Sequence, residues 1–236
     1  MKTATLILWI VTAVAMAQSE APQPRVVSTV AMRPSDAVVL FDGKDLSGWT
    51  KQDGSPAGCK VDKGELVCAS GVGDIVSKEV FTDAQIHLEF NVPLMSAQTG
   101  QMRGNSGVFL QSCFEVQILD SYQNPTYPNG SCGAVYGFAP PLVNASRKPG
   151  EWQSYDIIFR AAKCDANGGM TQPGSVTMLH NGVLVHDGTR IDKKGSGCSN
   201  PTVCGPGPLR LQDHSGFPNA PHTVMRFRNI WLRKLN

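Results

Sequence analysis

The chain has 236 residues, of which 41% are hydrophobic and 17% are charged, as in a globular protein with one large domain or at most two small ones. Its formal net charge is +2, and no cluster of lysine and arginine is long enough to follow a phosphate backbone, so we expect no nucleic-acid partner. The 24 glycines and 16 prolines indicate many turns between short strands.

The N-terminus has the form of a secretory signal peptide. Lys2 precedes an apolar run over residues 4–15, and residues 15–17 (AMA) supply a small-x-small cleavage site. An uncleaved membrane anchor is the alternative, but the run is shorter than the roughly 20 residues that span a bilayer. We therefore expect residues 1–17 to be removed and the mature chain to be extracellular or periplasmic, without contact to a membrane.

Residues 18–36 contain three prolines and no periodicity, which is typical of a linker or N-terminal arm. The folded domain is expected over residues 37–236 and begins with a strand at 38–41. Trp49 follows a pair of turn signals, where core packing is the expected role and a sugar-stacking platform is the alternative. Short strands are predicted at residues 64–68 and 74–77.

A strand with one buried face is predicted at residues 84–91. Apolar and polar residues alternate strictly along it, so one side faces a core and the other carries His87 and Glu89. Glu89 is therefore expected on a polar sheet face of the same kind as the one described next.

The most informative pattern covers residues 114–120. Large apolar and polar residues alternate here, which buries one side of the strand and leaves Glu115 and Gln117 together on the other. Asp120 and Tyr122 follow where the strand ends. Two carboxylates, an amide and a phenol on one surface exceed what solvation requires, so we predict that this face is a sugar-binding cleft.

The segments on either side of this strand extend the prediction. A short link joins it to a strand at residues 107–111, which indicates a hairpin. Residues 122–149 form a long, turn-rich insertion with five prolines and several aromatic side chains. Such a long connection without regular structure is usually functional when it is ordered, and we expect it to form a wall over the polar face.

The C-terminal part of the chain continues the all-β pattern. A strand is predicted at residues 152–160, and a hairpin at 175–187 turns at Asn181-Gly182. Residues 208–214 are interpreted as a turn-rich loop, and a closing strand covers residues 223–235.

No apolar residues recur at helical spacing over three turns, and no alternation of strands with helices is present. About ten to twelve strands in one domain predict an all-β fold, a two-sheet antiparallel β-sandwich of the jelly-roll type.

The seven cysteines all follow the signal peptide and fit an oxidising compartment. Proximity in the sequence predicts three disulfide bonds and leaves Cys164 unpaired: Cys59 with Cys68, Cys113 with Cys132, and Cys198 with Cys204. The spacings lack the CxxC pairs of a zinc site, and no HExxH is present. We predict no cofactor and no catalytic metal; a structural calcium ion remains open, although no DxDxDG-type loop is present.

Eight sequence blocks occur in an order that resembles one family. They are GNSGVFL, FEVQILDSY, TYPNG, GAVYG, PPLVNASRKPGEWQSYDI, VTMLHNGVLV, GPLRLQDH and FRNIWLR. The series, over residues 38–236, resembles the secreted 3-keto-disaccharide hydrolase family, formerly a domain of unknown function. The resemblance implies a concanavalin-A-like or laminin-G-like β-sandwich that acts on glycosides oxidised at C3. This chain departs from the family pattern by an inserted SGFPNAPHTV and by its additional cysteines.

The chemistry implied is that of a sugar with a ketone at C3. The ketone acidifies C2–H, so the glycosidic bond can break by removal of the C2 proton and loss of the C1 substituent, after which water adds to the enone. This route needs a base, a donor for the enolate and an acid near the leaving oxygen. The nominated residues are Glu115 or His214 as base, Arg210 or Arg228 as enolate donor, and Asp120 or Asp213 as acid.

Hydrolysis by two carboxylates through an oxocarbenium-like transition state is the alternative, with Glu115 paired with Glu89 or Asp120. Sequence gives residue types and not distances, so both routes stay open. The predicted contacts to the carbohydrate substrate are Glu89, Arg103, Asn105, Gln117, Tyr122, Tyr136, Arg210, Gln212, Asp213 and Arg228. A non-catalytic carbohydrate-binding module and a laminin-G-like interaction domain are the alternatives to an enzyme, and the oligomeric state stays open.

Overall fold

The structure is a computed structural model that describes residues 29–30, 33–200 and 203–235. The predicted signal peptide and most of the predicted arm lie outside these residues. The strands are β1 (Thr29–Val30), β2 (Arg33–Pro34), β3 (Val38–Phe41), β4 (Trp49–Thr50), β5 (Lys60–Asp62), β6 (Glu65–Ala69), β7 (Ile75–Phe81), β8 (Ala84–Asn91), β9 (Ser106–Leu110), β10 (Phe114–Ile118), β11 (Trp152–Arg160), β12 (Lys163–Cys164), β13 (Met170–Gln172), β14 (Gly174–His180), β15 (Val183–Ile191), β16 (Gly207–Leu211) and β17 (Val224–Lys234).

Two antiparallel sheets form a sandwich. The five-stranded sheet has the order β10-β9-β16-β7-β4, and the eight-stranded sheet has the order β15-β14-β11-β8-β17-β6-β5 with β3 also paired to β17. The described residues otherwise contain two small hairpins and three short 3-10 helices, Gly100–Met102, Pro128–Gly130 and His214–Gly216. The prediction of a two-sheet antiparallel β-sandwich is confirmed. The number of strands exceeds the expected ten to twelve, because several strands contain only two or three residues and are too short to show a periodic pattern in the sequence.

The core lies between the two sheets and follows the predicted alternation. Ile86, Leu88 and Phe90 of β8 are fully buried, as are the apolar residues of β10. The Phe114 ring of β10 meets Phe159 of β11 with ring centroids 5.9 Å apart, which ties one sheet to the other. Each such side chain stabilises the fold by about 1.5–3 kcal/mol on burial. The core therefore fixes which faces of β8 and β10 point outward.

Both predicted hairpins are present. Asn181 and Gly182 have φ values of 53° and 80° and join β14 to β15, as expected for a two-residue turn in which both positions need positive φ. The β9–β10 turn places Gln111 and Ser112 at φ 53° and 52°. The Gln111 amide donates hydrogen bonds to the carbonyls of Phe81 and Gly205 at 3.0 and 3.1 Å, which stabilise this turn.

The prediction of a loop at residues 208–214 is wrong for its first half. Gly207–Leu211 form β16, which lies between β9 and β7 in the five-stranded sheet. Its pairing with β7 shifts register between Pro208 and Arg210, and proline cannot donate to a strand ladder. A five-residue strand with a proline at its second position and a bulge after it has no alternation long enough to detect in sequence.

Of the predicted disulfides, Cys59–Cys68 is confirmed and the other two are wrong. Cys113 is bonded to Cys198 and Cys164 to Cys204, while Cys132 is a buried free thiol 3.1 Å from the Tyr155 hydroxyl. Proximity in sequence failed because the loop after β15 returns across the β9–β10 turn, which joins cysteines 85 residues apart. Three disulfide bonds are typical of proteins in an oxidising compartment.

Trp49 is buried and its indole N–H donates to the Leu40 carbonyl at 2.8 Å. This is the core role that its position in the sequence predicts.

None of the described residues belongs to a helix long and apolar enough to cross a membrane.

Candidate active site

Three side chains form a row across neighbouring strands of the five-stranded sheet. Glu115 of β10 is paired with Phe109 of β9, and Phe109 is paired with Arg210 of β16. Residues in register on adjacent strands project from the same face of a sheet. Because the neighbouring apolar residues of β10 occupy the core, this row belongs to the outer face of the five-stranded sheet, as predicted for Glu115.

Glu115 is a buried carboxyl group with 9% of its surface exposed. Burial raises its pKa to about 7; the Arg210 cation lowers this pKa and the Asp74 carboxylate raises it. The backbone of Gly107 makes room for it, since a Cβ atom there would lie 2.5 Å from Glu115 Oε1. A carboxyl group with a pKa near neutrality is suited to accept or donate a proton during catalysis.

Arg210 is held in place by three contacts. Its guanidinium carbon lies 3.7 Å from the centroid of the Phe109 ring. Nη2 donates to the carbonyl of Gly197 at 2.8 Å, and Nη1 lies 3.5 Å from Asp74 Oδ2. The buried Nε has no hydrogen-bond partner in the described part of the chain. The side chain is thus fixed as a cation with one donor unused.

Glu115 and Phe109 border a cavity of about 360 Å³, within the size range of small-molecule sites, whereas Arg210 lies behind Phe109 and is not among the lining residues. The lining of the cavity combines polar groups on the sheet with aromatic and apolar side chains from connecting segments: Gln101, Met102, Asn105, Phe109, Glu115, Gln117, Tyr127, Tyr136, Ser196, Gly197, Gln212, His214, Phe217 and Pro218. The predicted residues Glu115, Gln117 and His214 are therefore brought together, with Asn105, Tyr136 and Gln212.

The amide side chains of this cavity have unused hydrogen-bonding capacity. Asn105 Oδ1, Gln117 Oε1 and Gln212 Oε1 are buried and find no partner among the residues that the structure describes. A buried polar atom without a partner is costly, so such atoms indicate a bound ligand or water. Several convergent amides are well suited to the hydroxyl groups of a sugar.

Residues 122–149 supply one wall of the cavity, as the sequence predicts. The backbone of this segment pairs with the free edge of β10: the Tyr136 N–H donates to the Glu115 carbonyl at 2.9 Å, and the Gly133 N–H donates to the Gln117 carbonyl at 2.9 Å. The Tyr127 and Tyr136 hydroxyls are 3.0 Å apart. Desolvation and the hydrogen bond to Tyr136 raise the pKa of Tyr127 to about 12, so this phenol stays protonated.

A disulfide-anchored loop supplies the opposite side. The Cys113–Cys198 bond fixes the loop to the residue preceding β10, and Gly195 lies so close to the Cys113 carbonyl that a Cβ would clash with it. Ser196 and Gly197 then border the cavity, and Gly197 presents its carbonyl to Arg210. The loop thus contributes both cavity wall and the anchor of the cation.

The third side is the turn after β16. His214 stacks on Phe217 with ring centroids 4.2 Å apart and an interplanar angle of 12°, and burial lowers the pKa of His214. The preceding Asp213 does not face the cavity. Its carboxylate accepts hydrogen bonds from the backbone N–H groups of Gly71, Gly73 and Ser215 at 2.8–3.0 Å.

Asp213 is therefore unsuited to the predicted role of acid. Although burial raises the pKa of its carboxyl, the three backbone donors outweigh that effect and lower it overall. A carboxylate stabilised in its charged form is a poor proton donor at neutral pH. Asp213 instead positions the turn that carries His214.

Asp120 is also placed away from the cavity. Its buried carboxylate forms an ion pair with Arg103, with Nε 2.7 Å from Oδ2, and accepts from the Tyr122 N–H at 3.1 Å. Arg103 Nη2 in turn donates to the Tyr122 carbonyl at 3.0 Å. The predicted roles of Asp120 as acid and of Arg103 and Tyr122 as sugar contacts are not supported, because the three residues hold the end of β10 together.

Glu89 and Arg228 belong to the other sheet, so the prediction that Glu89 lies beside Glu115 is wrong. Arg228 of β17 donates to Glu89 of β8 at 2.7 Å and its guanidinium lies 4.0 Å from the centroid of the Trp152 ring. Both sheets alternate buried and polar residues, and the alternation alone does not say to which sheet a strand belongs. Neither residue lines the cavity.

Metal ligation has no support in this geometry. Within residues 29–30, 33–200 and 203–235, no group of three or more histidine, cysteine, aspartate or glutamate side chains is arranged to hold an ion. The absence of a catalytic metal and the optional structural calcium ion both stay predictions.

Several lining residues were missed by sequence reasoning, namely Gln101, Met102, Phe109, Tyr127, Ser196, Gly197, Phe217 and Pro218. Phe109 could have been found, because the short link of the predicted hairpin sets the register that pairs it with Glu115. The others lie in connections without periodicity, where sequence gives no position.

The chain matches one family profile and is similar to two solved structures. Residues 36–233 match the profile of a family described as 3-keto-alpha-glucoside-1,2-lyase-like domain. A provisionally assigned glycosyl hydrolase from Parabacteroides distasonis ATCC 8503 is similar at 42% identity and a TM-score of 0.83, over 94% of this chain and 97% of that chain. A second provisionally assigned glycosyl hydrolase from the same organism shares the fold. It is 20% identical, with a TM-score of 0.62, over 85% of this chain and 94% of that chain. No curated protein matches the chain significantly.

Proposed function

Since the chain belongs to the 3-keto-alpha-glucoside-1,2-lyase-like domain family, we propose that it is a carbohydrate-active enzyme that cleaves 3-keto-glycosides, with Glu115 as the base. The observation that carries the proposal is a buried carboxyl group with a pKa near 7, located in a cavity with unpartnered amides and on the same sheet face as a fixed cation. This combination suits removal of a carbon-bound proton and stabilisation of the negative charge that results.

The reaction begins at C2 of the sugar, where the C3 ketone acidifies the C–H bond. Glu115 takes the C2 proton, and the C–H electron pair forms an enolate whose charge develops on O3. Arg210 is the donor nominated for O3, because it is the cation of this row, separated from Glu115 by Phe109, and its Nε has no partner in the described part of the chain. A preorganised cation at a developing oxyanion is worth about 10²–10³ in rate.

Departure of the leaving group completes the elimination. The enolate electrons form the C1–C2 double bond, the C1–O bond breaks, and the leaving oxygen takes a proton. With Asp120 and Asp213 engaged elsewhere, the hydroxyl pair of Tyr127 and Tyr136 is the nominated donor, and His214 is the alternative. In a hydrolytic outcome, water then adds its hydroxyl to C1 and its proton to C2 of the enone.

Conventional hydrolysis by two carboxylates is less well supported. That mechanism requires two carboxyl groups flanking the scissile bond. Glu115 is the sole carboxylate among the described residues that border the cavity, since Asp120 and Glu89 have other partners. The elimination route requires one base, which agrees with this composition.

The test compares a 3-keto-glucoside with its parent glucoside in the same assay. We expect product from the 3-keto compound alone, and deuterium at C2 should slow turnover because the C2–H bond breaks. Equal cleavage of the parent glucoside would contradict the proposal. Calorimetric binding of the 3-keto compound without cleavage on long incubation would instead favour a non-catalytic binding module.

Export of the enzyme is part of the proposal. The three disulfide bonds and the N-terminal sequence support a secreted protein. N-terminal sequencing of the protein recovered outside the cytoplasm should begin near Gln18, and recovery of an intact Met1 would contradict cleavage.

A further inference from the structure

The cavity has a polar floor and an apolar rim. The floor consists of Glu115 and the unpartnered amides of Asn105, Gln117 and Gln212. The rim includes Met102, Phe217 and Pro218. Such a division predicts a ligand that has a hydroxylated part and an apolar part.

Phe217 stands out on this rim. Its side chain is 52% exposed, and the other phenylalanines in the described chain are buried or half-buried. Burying a phenylalanine contributes about 1.5–3 kcal/mol, so an exposed ring on the border of a cavity offers a ligand apolar area to cover. A ligand that covers the ring would remove it from water.

The ring is also held in a defined orientation. One face of Phe217 stacks on His214 at 4.2 Å. His214 begins the 3-10 helix His214–Gly216, which Asp213 caps and Phe217 follows. Asp213 is in turn bound by the backbone of Gly71 and Gly73. A ring ordered in advance loses little conformational entropy when a ligand stacks on it.

On these grounds, and resting on the proposed function, we infer that Phe217 with His214 forms a platform for the leaving group, and that the substrates are 3-keto-glycosides with an aromatic aglycone. The polar floor accounts for the hydroxyls of one sugar ring. A second sugar packed on Phe217, Pro218 and Met102 would meet no side-chain hydrogen-bond donor on these three residues. The Tyr127, Tyr136 and Ser196 hydroxyls of the same cavity belong to its other walls. A planar aromatic group would instead gain apolar contact and ring stacking.

The test measures binding separately from turnover. Calorimetry with the Glu115→Gln protein compares phenyl 3-keto-glucoside, methyl 3-keto-glucoside and a 3-keto-disaccharide. We expect the phenyl compound to bind about 10-fold more tightly than the other two, which corresponds to about 1.4 kcal/mol. When Phe217→Ala is added to the Glu115→Gln protein, its affinity for the phenyl compound should fall to that for the methyl compound. Its affinity for the methyl compound should stay within about twofold of the value without Phe217→Ala.

A matched control is Leu94→Ala, which truncates another exposed apolar side chain, 72% exposed, that borders a different cavity. It should change none of the three affinities. Equal binding of the phenyl compound and the disaccharide, or an equal loss for all three in Phe217→Ala, would overturn the inference. Because Glu115→Gln needs only to bind, this result is independent of whether the wild-type protein cleaves 3-keto-glycosides.

Discussion

The Arg210 guanidinium packs 3.7 Å from the centre of the Phe109 ring, and this contact sets the spacing between the cation and Glu115. Phe109 lies between the two charges in the row across β10, β9 and β16. Arg210 therefore lowers the pKa of Glu115 without a direct ion pair between them in the described structure. In the proposed mechanism, this separation leaves the carboxylate oxygens of Glu115 available to the substrate.

Replacing Glu115 with Gln should reduce kcat/KM for a 3-keto-glucoside by about 10²–10⁴, the range for loss of a general base. In the wild-type protein, kcat/KM should rise with pH and level off above about 7, because Glu115 must lose its proton before it can act. Steady-state kinetics between pH 5 and 9 measures both the loss of kcat/KM in Glu115→Gln and the pH dependence of kcat/KM in the wild-type protein. A variant with unchanged turnover would exclude Glu115 as the base.

Replacing Arg210 with Met should raise the apparent pKa in the pH–rate profile, since the cation holds the pKa of Glu115 down. It should also lower kcat by at least about 10-fold through loss of the enolate donor. The matched control is Arg228→Met, which removes a guanidinium that also covers an aromatic ring, but on the other sheet. An identical shift in both variants would indicate a general change in charge and not a contact at the site.

Glu115 should make stability depend on pH in a defined direction. Its pKa rises from 4.5 to about 7 on folding, so the folded state binds the proton more tightly. The associated stabilisation is complete below about pH 4.5 and is lost as pH rises through about 7. At pH 8 the ionised wild-type protein should be destabilised by about 3 kcal/mol relative to Glu115→Gln.

Urea titration of both proteins at pH 5 and pH 8 checks this expectation. The difference between their free energies of unfolding should grow in favour of Glu115→Gln from the lower pH to the higher. A constant difference would mean that the pKa of Glu115 is not raised in the folded protein.

Gly107→Ala should impair catalysis more than folding, because the new Cβ would lie 2.5 Å from Glu115 Oε1 and displace the carboxylate. A misplacement of about 1 Å can cost about 10²-fold in rate. The kinetic loss should be absent when the same substitution is made in Glu115→Gln, where no reactive carboxylate remains. Additive losses in the double variant would contradict this explanation.

Cys113→Ala/Cys198→Ala should lower both stability and activity. Loss of a disulfide in a secreted domain typically costs about 2–5 kcal/mol, and here it also frees the loop whose Gly197 carbonyl holds Arg210. Cys164→Ala/Cys204→Ala removes a bond whose cysteines border a different cavity. It should lower stability and leave kcat within about twofold. Equal kinetic losses in the two double variants would show that the loop anchor is unimportant.

The sequence predicted the fold and the central strand of the site because both depend on local periodicity. Alternation identified β8 and β10, and Asn181-Gly182 identified a hairpin by its need for positive φ. Glu115 and Gln117 were found in this way, and these features need only the two-residue repeat of a strand and the chemistry of turns. The wall was predicted separately, from the length and the aromatic content of residues 122–149.

The remaining features depend on which strands become neighbours, and the local pattern of apolar and polar residues does not determine strand neighbours. Glu89 and Glu115 lie on equivalent polar faces of different sheets, and Cys113 pairs with a cysteine 85 residues away. Arg210 was nominated as a loop residue, yet it belongs to the row because it lies on β16. The proline and the bulge of β16 prevent its recognition as a strand in the sequence. Tyr127 and Phe217 come from connections whose paths are set by tertiary contacts.

The division of the site between strands and connections also has an evolutionary consequence. Glu115, Phe109 and Arg210 project from the sheet, whereas Tyr127, Gly197 and Phe217 come from three separate connections. Under the proposed function, insertions in those connections would change which leaving group is accepted, while Glu115 and Arg210 stay in register on the sheet. Related enzymes could therefore diversify in substrate range by exchanging loops, and the insertion that carries Phe217 is a natural starting point for engineering new preferences.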